Sequence, residues 1–145
     1  TFGGRVGRQF KLGNGEFVNP DLLERVYSRA PLVEHVIVTG KQEWSHPLIV
    51  VTVDIEEASR QTDLIGLPAD EVTLRQFDAL VERLRQQLRT EADLTGLPGH
   101  ERPVRVLVLP EGLSEETGTL TRGLRKVVPK AVVARFEQQI EAVMS

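Results

Sequence analysis

Two runs rich in Val and Ile, 32–39 and 48–54, are separated by only eight residues, and this pairing constrains the fold more than any other feature of the chain. Each is too short to favour a helix and too apolar for a solvated strand, so both read as buried strands joined by the hairpin-like connection GKQEWSHP. A third run, Val104 to Leu109, alternates apolar and polar positions and adds another strand. Trp44, in the connection, reads as a side chain folded over a strand end. Ahead of these strands, RQFKLGNGEFV places two short apolar segments around Gly13-Asn14-Gly15, the composition of a tight β-hairpin.

Helical spacing fills the intervals. Asn19 followed by Pro20 supplies a cap and a first helical residue, and Leu22, Leu23, Val26 and Tyr27 share one face of a helix over 20–29 that Pro31 ends. After a polar stretch, 56–70, apolar residues recur at Leu74, Phe77, Val81, Leu84 and Leu88, with Arg75, Glu82, Arg85 and Gln86 on the face left to water. EADLTGLPGHERP reads as the break after this helix. A turn-rich segment, 110–128, precedes a last helix opened by Pro129, with Val132, Phe136, Ile140 and Val143 in line. The expected fold is α+β: a small three-stranded sheet plus an N-terminal β-hairpin, flanked by helices.

A length of 145 residues with 40% apolar content suits one domain with its own core. With no cysteine there is no thiol nucleophile, thiolate metal site or disulfide. Eighteen basic against 21 acidic residues argue against a nucleic-acid partner. No apolar run is long enough to span a bilayer, and the cytoplasm is the expected location. The glycine-rich opening at Thr1 suggests a piece of a larger protein. Phosphate-loop, nucleophile-elbow and zinc-helix motifs are all missing. His35, His46 and His100 lie apart in sequence without metal-ligand spacing, and no metal site is expected.

Two glycine-rich loops carry cations instead. Arg5, Arg8 and Lys11 flank the glycines of GGRVGRQFKLGNGE, and Arg122, Arg125 and Lys126 surround Gly118 and Gly123 in EETGTLTRGLRKVV. Backbone amides and side-chain cations of this kind suit an anion such as a phosphate, although solvated loops have the same composition.

Together the loops carry a resemblance. GRVGRQFKLGNGEFVNPDLLERVYSRAPLVEHVIVTG resembles the opening of the C-terminal domain of the AMP-forming adenylating enzymes, particularly long-chain acyl-CoA synthetases and carboxylic acid reductase adenylation domains. SEETGTLTRGLRKVVPKAVVARFEQQIEAV is similar to their closing segment, E-x-G-x-L-T-x-x-x-K before a helix. The resemblance implies a mobile lid that works with a large N-terminal adenylation domain of the same protein. That domain would bind ATP, most of the Mg contacts and a small-molecule carboxylate. The lid would supply a lysine for acyl-AMP formation, then rotate and present its hairpin while CoA or another thiol takes the acyl group.

Carried over by residue, Arg5 falls at a position that contacts ATP and Gly7 at the hinge, where the family usually has Asp or Lys. Lys11 falls in the active-site hairpin, and Gly15 and Glu16 in the loop turned to the catalytic centre for the thioester step. Ungapped counting from Leu120-Thr121 puts Arg125 at the catalytic lysine position, with Lys126 one residue later. Arg125 acting, Lys126 acting after a one-residue shift, and loss of the step all stay open. So do transfer to an amine or a carrier protein, and a non-catalytic module with the lid fold. An isolated lid is expected to be inactive.

Overall fold

The computed structural model describes residues 9–60 and 74–144. Its α+β architecture is a three-stranded sheet with helices on both faces, and a separate two-stranded hairpin. The hairpin strands β1 (Phe10–Lys11) and β2 (Phe17–Val18) pair antiparallel. The main sheet has the order β3 (Val33–Thr39), β4 (Leu48–Val53), β5 (Arg105–Val108), with β3 and β4 antiparallel and β4 and β5 parallel. Every residue of the central strand β4 is buried, because both of its faces are covered; this is why its sequence is a continuous apolar run.

One face packs against α1 (Pro20–Tyr27) and α3 (Asp78–Thr95), with Leu23, Tyr27, Leu84 and Leu88 against Val38, Ile49 and Val51. The other packs against α4 (Pro129–Arg135) and α5 (Glu137–Met144), whose Val132, Phe136 and Ile140 meet Ile37, Leu48 and Val50. A bulge at Glu34 separates the pairs Val33↔Val53 and His35↔Thr52. The extra residue lets Val33 and Val36 enter the same core. The amide of His35 donates to Thr52 Oγ1 at 3.0 Å.

Several expectations change. Leu22 leaves the apolar face of α1 and is exposed. The polar stretch after β4 begins with a short helix, α2 (Ile55–Arg60); 61–73 lie outside the described residues. Leu74 and Phe77 precede α3, whose buried stripe is Leu80, Leu84, Leu88 and Ala92. Arg75 is not on a solvated face: it is buried and donates to the Val53 carbonyl at 3.2 Å. The α3 helix runs on through Glu91 to Leu94 and stops at Gly96, whose φ of 75° makes it the left-handed cap. The last helix is two, interrupted at Phe136, although the buried line Val132, Phe136, Ile140 holds across the break.

Candidate functional site

The hairpin owes its shape to short-range chemistry. Gly15 adopts a φ of 88°, which favours glycine, and the Asn14 side chain accepts from the Glu16 amide at 3.0 Å. Leu12 and Val18 anchor it in the core. At Gly13 the backbone donates to the Trp44 carbonyl at 2.9 Å, and a Cβ there would lie 2.8 Å from the Gln42 carbonyl oxygen. Lys11 is exposed, with its Nζ 5.8 Å from the centroid of the Phe17 ring, which is itself 65% exposed. Glu16 Oε2 lies 3.3 Å from His100 Nδ1. Trp44 packs at the strand ends as expected, with Lys41 Nζ 5.6 Å from its ring centroid.

The second loop is a tight reversal. Leu120 bridges Val127, the Thr121 amide donates to the Lys126 carbonyl at 2.8 Å, and the Lys126 amide donates to Thr121 Oγ1 at 3.0 Å. Gly123 (φ 77°) and Arg125 (φ 52°) both occupy the left-handed region. The result separates the two candidate cations. Arg125 Nη1 pairs with Glu115 Oε2 at 3.3 Å, whereas Lys126 lines an open cleft between α1 and β3 together with Asp21, Glu24, Glu34 and His35. The Lys126 ammonium has no ion-pair partner among the described residues.

His35 closes the floor of that cleft. Among the described residues its buried Nδ1 has no hydrogen-bond partner, and it lies 4.0 Å from Glu34 Oε1. Burial holds the imidazole below the usual histidine range; Glu34 opposes the shift and Arg125 reinforces it.

The two loops do not converge. Lys126 sits beside Glu34 and His35 at the start of β3, while the Phe10–Val18 hairpin sits at its far end, with Phe10 against Gly40 and Gly13 against Trp44. The seven residues of β3 run between the two ends, and Phe10 shares a second cleft with Pro129 and Lys130, which follow the second loop.

The fold recurs in solved structures. The adenylation domain of a carboxylate reductase from Mycobacterium chelonae superposes with a TM-score of 0.77 at 29% identity, covering 96% of this chain and 20% of that one. The A-PCP didomain of carboxylic acid reductase from Segniliparus rugosus, solved in complex with AMP, gives 0.77 at 27% identity over 98% of this chain and 18% of that one. Long-chain-fatty-acid–CoA ligase 5 of Rattus norvegicus is 30% identical over 129 residues, 89% of this chain and 19% of its own length. Over nearly its whole length the chain is similar to one part of the AMP-forming adenylating enzymes. It spans about a fifth of the length of these relatives, and no family model matches it.

Of the residues that the adenylating-enzyme pattern marks, Lys11, Gly15 and Glu16 share the first hairpin, and Arg125 and Lys126 share the second. Arg5 and Gly7 lie outside the described residues. The sequence pattern did not mark His100 beside Glu16, or Glu34 and His35 beside Lys126. Each of those contacts joins positions more than eighty residues apart, and no local motif records them.

Proposed function

We propose that the chain is the C-terminal mobile domain of an ATP-dependent, AMP-forming acyl ligase that activates a carboxylate as acyl-AMP and passes the acyl group to CoA or another thiol. Kinship with adenylating enzymes supports the chemistry, and the observation that carries the lid role is the separation of the two loops along β3. The two half-reactions need different things from a lid. In the first, a carboxylate oxygen attacks the α-phosphorus of ATP and pyrophosphate leaves. A cation from the lid lowers the cost of bringing two anions together. In the second, the thiol sulfur attacks the acyl carbon, AMP departs with the bonding electron pair, and the thiol proton passes to solvent. That cation must then vacate the space.

Lys126 is assigned to the first step. It has no ion-pair partner among the described residues, lines an open cleft, and is a compact ammonium, while Arg125 is already held by Glu115. Gly15, Glu16 and Lys11 are assigned to the second step, and Arg5 to ATP contact with Gly7 as the pivot. Among the described residues no group of three or more His, Asp or Glu side chains is placed to hold a metal ion, so Mg would be held by the large domain with the nucleotide. A protein that spends ATP on a carboxylate suits the cytoplasm; among the described residues no helix is long and apolar enough to cross a membrane. A carrier-protein thiol is the second acceptor considered, favoured by the likeness to the A-PCP didomain.

The test uses the full-length protein, with acyl-AMP formation and acyl transfer from preformed acyl-AMP measured separately. Lys126→Ala should slow adenylation by about two to three orders of magnitude, the scale of losing one oriented donor, while transfer persists. Arg125→Ala should change adenylation by less than about tenfold. Loss of adenylation in Arg125→Ala with full activity in Lys126→Ala would reverse the assignment, and indifference to both would remove the lid role of this loop.

A further inference from the structure

We propose that His100 is a positioning residue for the thioester half-reaction, holding Glu16 and with it the open side of the hairpin; this rests on the lid reading above. The turn that carries His100, the 3-10 segment Gly99–Glu101, is fixed from several directions. The hydroxyl of Tyr27, a fully buried side chain of α1, donates to the Glu101 carbonyl at 2.6 Å. Burial pushes the Tyr27 phenol well above its usual range, so it stays a neutral donor. Arg102 Nε donates to the Leu97 carbonyl at 2.9 Å, and its guanidinium pairs with Asp93 at the end of α3. The His100 side chain, only 18% exposed, therefore stands on a rigid base between α1 and α3.

The hairpin it touches is anchored unevenly. Leu12 on one strand side and Val18 on the other are buried and Gly13 is tied to Trp44, so the base of the hairpin is fixed. At its tip Gly15 to Phe17 are exposed, and among the described residues His100 Nδ1, 3.3 Å from Glu16 Oε2, is a side-chain contact from outside the hairpin that restrains them. Gly15 at φ 88° is the deformable point of the loop. The charged groups nearest this contact along the chain are Glu101 and Arg102 on the turn, with Lys11 and Asp21 each five residues from Glu16.

A pair with a half-exposed carboxylate is worth up to about a fivefold effect, which sets the size of the signal. The experiment is a double-mutant cycle in the full-length protein, with the ratio of acyl transfer to adenylation as the readout. His100→Gln and Glu16→Gln should each lower that ratio about two- to fivefold. The double variant should fall no further than either single one, and His100→Lys, which can still donate to the carboxylate, should recover most of the loss. Purely additive losses, or no change in the ratio, would overturn the proposal. If His100→Gln does not fold, the pair Glu16→Gln and His100→Lys decides, since a positioning contact predicts loss in the first and retention in the second. Lys126→Ala run in parallel separates the two readings. If it spares adenylation the lid assignment itself fails, and if it impairs adenylation while the cycle is additive, only the role of His100 falls.

Discussion

At Arg125 a side chain occupies left-handed backbone, φ 52°, a conformation that costs an ordinary residue about 1 kcal/mol or more. Its consequence is geometric: two adjacent cations leave the loop in different directions, one to Glu115 and the other to the cleft at His35. Counting residues from Leu120-Thr121 assumes a regular backbone, which is why the sequence left Arg125 and Lys126 unresolved. The same cleft makes a pH prediction. Burial and Arg125 hold the His35 imidazole below its unfolded value against the pull of Glu34. The unfolded chain therefore binds more protons in the window just below about 6.5, and stability rises with pH across that window and is complete above it. Between pH 7.5 and 5.5 the urea midpoint of the wild type should fall more than that of His35→Gln. Parallel pH dependences would show that His35 pays no burial cost on protonation.

Among the elements, the legible ones were those whose local pattern coincides with their burial. Val/Ile runs became β3 and β4, and Asn19-Pro20 opened α1 with the Asn19 side chain accepting from the Asp21 amide. The misplacements have tertiary causes. Leu74 and Phe77 extend the apolar period of α3 but belong to the segment entering it, so the true stripe shifts to Leu80 and Ala92. Arg75 looked solvated because a long cation usually is, yet its guanidinium serves a strand-end carbonyl at Val53. The parallel pairing of β4 with β5 depends on a crossover through α3 that no short window contains. Since Leu84 is fully buried in the middle of that crossover helix, Leu84→Ala should lower unfolding stability by about 2–5 kcal/mol in a urea titration. Leu22→Ala, on the exposed side of α1, should cost less than about 1 kcal/mol; similar losses at both positions would mean that the faces have been assigned wrongly.

For the whole molecule, a sheet covered on both faces gives a rigid body whose two loops are held apart by one strand. On the proposed reading that distance is the device: one domain presents either end, and no side chain has to travel between them. It also determines what the chain can do by itself. Two apolar clusters, one on each face of the sheet, supply a core independent of any ligand, so the 145 residues should fold cooperatively. The cations assigned to catalysis stand on open surface, Lys126 at an exposed cleft and Lys11 on an exposed strand. An exposed cation acts through a high dielectric, and without a second wall to orient ATP and exclude water it offers little transition-state stabilisation. The purified chain should therefore show a cooperative melt but no ATP–pyrophosphate exchange with any carboxylate, while exchange should appear in the full-length protein. Measurable exchange by the 145 residues alone would mean that they close a nucleotide site of their own, and the division of labour between lid and large domain would have to be abandoned.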